Sequence, residues 1–365
     1  MSLEIKTVEF QDMLAKSIKG TRKTNKFAPA ITSMLGIDVK NNVLTLTTTD
    51  GITYLYIINT VFNEDFYAVV DVEKFYKLVS KITSETITLT LTENALEVKG
   101  NGTYLIELAL DENGDLVKYP DPRENLHVEN GKEHEIQKAV FTKMSNALSP
   151  SLLDSALSES SMQYMCYYCG DRIIATDSNV LSSYNYTLFD EPKLLRPEFI
   201  DLMDVIDDEL VSLAELGNEI LVEASGCMIY TKVLPQIETF AVDRIIPLLD
   251  GEFESECILS KDYLMQLLDR FSLFVDGYDN NAIKLEFTDN EVTVKSLNSG
   301  AIEALRMETV NNPVAFECYV DLSLLKEQVK TNSTTDVHLW YGVDNSVKLV
   351  DGDVIHVVAL LDSFS

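Results

Sequence analysis

The chain has 365 residues, 46% of them hydrophobic, with 29 Lys and Arg against 59 Asp and Glu, a net charge of −30. That apolar content excludes disorder and is enough for two or three domains, each with its own core. No run approaches the roughly 20 apolar residues of a membrane span, and Met1-Ser-Leu-Glu-Ile-Lys6 has no apolar export segment, so a soluble cytoplasmic protein is expected.

The first predicted element is a helix with Phe10, Met13, Leu14 and Ile18 on one face. A strand at 43–50 follows. Asp71 then caps a second helix whose apolar face is Phe75, Leu78, Val79 and Ile82. Alternation predicts strands at 86–92, 95–99 and 104–110, parted by turns at Glu93-Asn94 and Gly100-Asn-Gly102. The same order then recurs. A helix with Val140, Met144, Ala147 and Leu148 inward precedes a strand at 172–177. Pro197 opens a helix that turns Phe199, Ile200, Met203 and Ile206 inward, before strands at 210–216, 219–223 and 228–234. The last third has Leu264, Leu267, Leu268 and Phe271 on its first helix, a cap at Asp321, and strands at 337–341, 346–350 and 354–361. Asp71, Arg196 and Asp321 lie 125 residues apart, as do Leu108, Val233 and Val358. One two-helix, many-stranded α+β module used three times accounts for this order. Polar, Pro- and Gly-marked stretches at 118–124 and 249–252 divide it into domains 1–122, 123–250 and 251–365.

Chemistry is hard to find. Cys166, Cys169, Cys227, Cys257 and Cys318 are an odd, scattered set that reads as reduced thiols. Cys166-Tyr-Tyr-Cys169 has zinc-like spacing, but no second pair or nearby His completes four ligands, and positions i and i+3 of a strand face opposite sides. His127, His134, His338 and His356 fit no HExxH or nucleophile–base pattern, and phosphate-loop, dinucleotide and GxSxG motifs are absent. The acid clusters at 111–115 and 276–281 lack calcium-loop spacing and read as turns. The expectation is a protein that is not an enzyme and has no cofactor or metal.

Several short stretches carry a resemblance when taken in order: Ala28-Pro29-Ala30-Ile31, Leu44-Thr45, Thr49-Asp50-Gly51, Val72-Glu73-Lys74-Phe75, Ile174-Ala175-Thr176-Asp177, Arg244-Ile245-Ile246-Pro247 and Ser346-Val347. Over essentially its whole length the chain resembles the bacterial-type DNA polymerase III beta sliding clamps, the processivity rings. The resemblance implies an α+β clamp fold of three tandem similar domains, each with two helices packed on antiparallel sheets. Two chains would join head to tail as a homodimer, with helices lining a hole and sheets forming the outer wall. Divergence from the family pattern fits a phage or mobile-element version. The partners implied are double-stranded DNA held without sequence preference, a DNA polymerase, and an ATP-dependent clamp loader.

The charge distribution bears on that expectation. No acid lies between Met13 and Ile37, whereas Lys16, Lys19, Arg22, Lys23 and Lys26 supply five positive charges, and Lys74, Lys77 and Lys81 add three on the second helix. Such a stripe attracts phosphate without reading bases, though it also fits a solvated surface. Lys138, Lys143 and Arg196 extend the DNA-facing set more weakly, and Lys261, Arg270, Lys326 and Lys330 are interspersed with acids. The resemblance implies a dimer interface of Lys74, Leu78, Ile82, Ile106 and Leu108 against Leu273, Phe274 and Glu303, with an edge strand at 104–110 extending the partner's sheet. Leu78 and Ile82 fit an ordinary core equally well.

It further implies a hydrophobic cleft for partner peptides, lined by Met165, Thr176, Leu181, Phe240, Ile245, Pro247, Val320, Ser323, Ser346, Val357, Ala359 and Leu360. Two departures alter its expected specificity. Asp177-Ser178-Asn179-Val180-Leu181 stands where the family usually has Asp-Gly-His-Arg-Leu, and the end at 357–365 lacks the usual Met-Pro-Met-Arg-Leu. That end also reads as a plain final strand. The rival reading is an acidic interaction or DNA-mimic protein, for which the acid-free stretch from Lys16 to Lys26 has no use.

Overall fold

Apolar–polar alternation makes half-buried strands and spacing by three and four makes amphipathic helices, and both patterns fold as they read. A computed structural model describes residues 2–21, 30–61, 64–126, 131–153, 164–235, 240–275, 281–297 and 299–362. The first module runs β1 (Ser2–Lys6), α1 (Thr7–Ser17), β2 (Met34–Lys40), β3 (Val43–Thr49), β4 (Tyr54–Thr60), β5 (Phe66–Asp71), α2 (Val72–Val79), β6 (Thr86–Leu91), β7 (Ala95–Lys99) and β8 (Thr103–Glu107). The second runs β9 (Lys132–Gln137), α3 (Lys138–Lys143), β10 (Tyr167–Cys169), β11 (Ile173–Thr176), β12 (Val180–Tyr184), β13 (Lys193–Leu195), α4 (Pro197–Asp201), β14 (Leu210–Leu216), β15 (Glu219–Ala224) and β16 (Cys227–Lys232). Helix α5 (Val242–Leu249) leads to the third: β17 (Ser255–Ser260), α6 (Lys261–Phe271), β18 (Ala282–Phe287), β19 (Glu291–Ser296), β20 (Ile302–Arg306), β21 (Thr309–Asn311), β22 (Phe316–Asp321), α7 (Leu322–Thr331), β23 (Asp336–Val343), β24 (Ser346–Asp351) and β25 (Val354–Leu361).

These elements form two compact units, Met1–Thr142 with Glu198–Val233, and Lys143–Pro197 with Leu234–Ser365. In the first unit β1-β6-β7-β8 make one antiparallel sheet and β5-β2-β3-β4-β16-β15-β14-β9 another. In the second, the strand order β13-β10-β11-β12-β25-β22-β18-β19-β20 is joined by β24, β23, β17 and β21. Two ladders therefore recur in all three modules. One is β1-β6-β7-β8, β9-β14-β15-β16 and β17-β23-β24-β25; the other is β5-β2-β3-β4, β13-β10-β11-β12 and β22-β18-β19-β20.

Strand pairing also stitches the modules together. β4 pairs with β16, Ile57 opposite Cys227, and β12 pairs with β25, Val180 opposite Val358. The strands that hold these two places in the outer modules, β8 and β20, end their sheets. Their outward side chains include Leu105, 64% exposed, and Ile302, 65% exposed.

Helix packing follows the predicted apolar faces. Phe10 of α1 meets Phe75 of α2 edge to face at 5.9 Å, and Phe141 meets Phe199 likewise at 6.5 Å. Each of these rings is buried, and truncation to Ala would cost about 3–5 kcal/mol. Leu264, Leu267, Leu268 and Phe271 of α6 share a core with Leu322, Leu325 and Val329 of α7. The equivalent positions Phe75, Ile200 and Leu325 are all buried. Asp71 caps α2 by accepting from Lys74 N at 2.8 Å, and Asp321 caps α7 by accepting from Ser323 N at 2.7 Å.

The second module departs from the predicted helices. Its first helix widens into a π-helix over Met144–Leu148 before Pro150, which has no N–H to donate. Its second lasts five residues before a 3₁₀ turn at Leu202–Val205.

Candidate functional site

An apolar cleft lies in the second unit, where β11, β12, β25 and β24 present neighbouring side chains to α5. Thr176 pairs with Leu181 and Leu181 with Val357, so one cross-strand row forms the floor. Ala241, Arg244, Ile245 and Leu248, spaced by three and four, form the facing side. The cleft has a volume of about 380 Å³, and Arg244 is the one charged residue in its described lining. Phe240 closes one end, stacked on Tyr168 at 4.9 Å.

The loop end is set by a turn. Thr176 Oγ1 donates to Val180 O at 2.7 Å, while Asp177 Oδ1 accepts from Asn179 N at 2.8 Å and Val180 N at 2.7 Å. Helix α5 is held from its far end. Arg172 Nη1 donates to Asp250 Oδ1 at 2.9 Å, and Lys348 Nζ donates to Gly251 O at 3.0 Å. The Lys348 ammonium also lies 4.6 Å from the Phe253 ring centroid and 5.7 Å from that of Trp340; burial lowers its pKa.

Of the twelve residues expected around a peptide cleft, Thr176, Leu181, Phe240, Ile245, Ser346, Val357 and Ala359 line this one. The remaining five do not. Met165 packs against the apolar cluster beneath, Pro247 is exposed on another side of α5, Val320 is buried in the α6–α7 core, Leu360 packs against that core, and Ser323 is exposed in the first turn of α7. Sequence reasoning missed Tyr164, Ser178, Asn179, Val180, Ala241, Arg244, Leu248 and Asn345. The helical spacing of 241, 244, 245 and 248 was the available signal, and Pro247 obscured it.

The β4–β16 joint of the first unit is occupied instead. Arg123 lies over the Tyr56 ring at 3.9 Å, Asp121 accepts from Tyr56 Oη at 3.0 Å, and Tyr54 meets Tyr230 edge to face. Burial pushes the Asp121 carboxyl up, but the Arg123 guanidinium outweighs it and holds that pKa below the usual range. The linker's own side chains thus cover this joint.

Among the expected interface residues, Ile82, Ile106 and Leu108 are buried within the chain's own core, Leu78 is half-buried and Lys74 exposed. Leu273 is 80% exposed, Phe274 is exposed, and Glu303 accepts from Arg270 Nε at 3.1 Å.

Of the expected DNA-facing cations, Arg22, Lys23 and Lys26 lie outside the described residues. Lys16 pairs with Asp207 at 2.6 Å and Asp12 at 3.3 Å, and the hydrogen bond to Asp207 raises its pKa against the effect of burial. Lys19 and Lys81 are exposed, Lys77 pairs with Glu73, and Lys138 donates to Ile206 O. Lys143 pairs with Asp353 at 3.0 Å, and Arg196 is half-buried. All five cysteines are free and buried. Among the described residues no group of three or more His, Cys, Asp or Glu is placed to hold a metal, and no helix is long and apolar enough to cross a membrane.

Three tandem two-ladder modules, stitched strand to strand with an apolar cleft at the second joint, define a clamp-type α+β protein. No family model matches the chain, and no curated protein matches its sequence. Solved structures match its fold. The beta subunit from DNA polymerase of Streptococcus pyogenes is 17% identical with a TM-score of 0.84, covering 100% of both chains. The DNA polymerase sliding clamp from Bacillus subtilis is 13% identical at 0.83, and the DNA polymerase III beta subunit from Thermotoga maritima is 14% identical at 0.80, both over 100% of each chain. The fold of this chain is that of the bacterial beta clamps.

Proposed function

We propose that the chain is a DNA sliding clamp, a processivity factor that encircles double-stranded DNA and tethers a DNA polymerase, with no chemistry of its own. One observation carries this reading. β4–β16 and β12–β25 are the same joint made twice, and β20 and β8 are the strands that would make it a third time. Pairing β20 of one chain with β8 of a second, and the reverse, removes both open edges and closes a head-to-tail homodimer of six modules. Tyr104, Leu105, Leu273, Phe274 and Ile302 would supply its apolar contacts. The similarity in fold to beta clamps supports this reading.

In this reading the modules correspond to residues 1–122, 123–250 and 251–365. The cleft beside α5 receives a short apolar segment of the polymerase or of an ATP-dependent clamp loader. The protein would work in the cytoplasm, where ring closure rather than tight contact retains it on DNA.

The test is topological. Protein loaded on nicked circular DNA by a matched loader should stay bound, and should be released when the circle is cut. Leu105→Arg, at the middle of the free edge, should halve the mass seen by light scattering and abolish retention. A monomeric wild type, or retention that survives cutting, would count against the proposal.

A further inference from the structure

Helix α5 has little of its own to hold it above the cleft. It is eight residues long, shorter than the dozen or so at which an isolated helix persists in water. Pro247, inside it, has no N–H to donate to Asp243 O. Its N-cap, Ala241, makes no side-chain hydrogen bond, and Leu249 is its one buried residue. Toward the N-terminal end the half-buried Val242, Ile245 and Ile246 pack on the cluster that contains Leu181, Phe240 and Val357.

The polar ties lie at the C-terminal end and come from both flanking modules. Arg172, from the second module, forks onto Asp250: Nη1 donates to Oδ1 at 2.9 Å and Nη2 to Oδ2 at 3.4 Å, with 21% of the arginine side chain exposed. Arg172 immediately precedes β11, whose Thr176 lines the cleft. Lys348, on β24 of the third module, donates to Gly251 O at 3.0 Å. It stands opposite Val357 in the β24–β25 ladder, so this second tie starts beside the floor.

We propose that α5 is a strap fastened at Asp250 and Gly251 to the two modules that flank the cleft, and that Arg172 and Lys348 are positioning residues that set how far it stands off the floor. Neither lines the cleft, and each acts on a bound segment through α5. Loss of either tie lets the helix lift. The proposal rests on the reading of this cleft as the docking site of a sliding clamp.

The test places a thiol beneath the strap of the full-length protein. Val357 and Leu181 are 5% and 6% exposed, so in Val357→Cys or, as a second reporter, Leu181→Cys, Ellman's reagent reaches the new sulfur only when α5 lifts. In either background Arg172→Gln and Asp250→Asn should each speed labelling about tenfold or more, as expected for losing a hydrogen bond between charged groups. The two together should do no more than either alone, because they remove one tie. Lys348→Met keeps an apolar stem but loses the donor, and its effect should add to that of Arg172→Gln. Exchanging the charges, Arg172→Glu with Asp250→Arg, should restore most of the protection, which a general loosening of the fold would not allow. Cys257, in the core of the third module, should stay unlabelled throughout.

Rates left unchanged by Arg172→Gln and Lys348→Met would overturn the proposal, as would an acceleration that the exchanged pair does not reverse. These rates involve no partner and no DNA. A chain strapped in this way that nevertheless fails to encircle DNA would tell against the sliding-clamp reading alone.

Discussion

Ser182 donates its hydroxyl proton to Nδ1 of His356 across 2.6 Å in the interior of the second unit. The direction follows from the neighbouring hydroxyl. Thr331 Oγ1 donates its one proton to Gln328 O at 2.8 Å, so it can only accept from His356 Nε2 at 3.1 Å. Burial keeps the imidazole neutral, so Nδ1 is left as an acceptor, and Ser151 in turn donates to Ser182. The ring is thereby fixed in one tautomer, and the buried Ser–His pair has no access to a substrate. Gln328 Oε1 stands 3.4 Å and 3.5 Å from two hydroxyls whose protons are already committed, while its Nε2 has no partner. The network therefore requires the opposite amide orientation, with Nε2 toward the serines.

Acid should expose this arrangement. Burial lowers the His356 pKa to about 4, with Asp351 opposing, against about 6.5 in an unfolded chain. Between those values the unfolded chain binds a proton that the folded one refuses. Stability present at pH 7 is therefore lost as pH falls through that window, in total of order 3 kcal/mol. Urea midpoints at pH 7, 5.5 and 4.5 should fall less steeply for His356→Gln than for wild type. Parallel slopes would refute the account.

The turns at Thr49–Thr53 and Thr176–Val180 make the same hydrogen bonds, yet Gly51 stands at φ +100° in one and Ser178 at φ +82° in the other. A side chain is strained in this left-handed region. Ser178→Gly should raise stability by about 1 kcal/mol, seen as a few degrees in the melting temperature. Gly51→Ser should do the reverse, because an added Cβ meets only Thr32 Cγ2 at 3.8 Å and the cost is confined to the backbone. A lower melting point for Ser178→Gly would contradict this.

The thiols should be silent. All five are buried, and burial pushes those of Cys227, Cys257 and Cys318 up to about 12. A thiol with so little thiolate at pH 8 reacts slowly. Ellman's reagent should titrate fewer than one cysteine in the folded protein and all five after denaturation; rapid native labelling of Cys166 or Cys169 would reopen a redox role.

Much of this architecture could be read from local pattern. Asp71 and Asp321 announce their helices, and the alternation at 210–216 and 354–361 gives β14 and β25 to the residue. What escaped was decided at a distance. Lys16 reads as an unopposed cation because its neighbours in sequence are basic, whereas the carboxylate it pairs with, Asp207, is 191 residues away. Val320 matches the cleft by position in the sequence, but it lies on β22, whose inward face feeds the α6–α7 core. Helix α5 was missed because Pro247 sits inside it, and with it went Arg244 and Leu248.

The chain has one tryptophan, Trp340, and the ammonium of Lys348 stands between it and the end of α5. Indole emission responds to a nearby charge, so a tilt of α5 that drags on Gly251 would shift the colour or intensity of a single fluorophore. The protein thus has a built-in optical gauge for the helix that roofs its cleft, readable without any attached label.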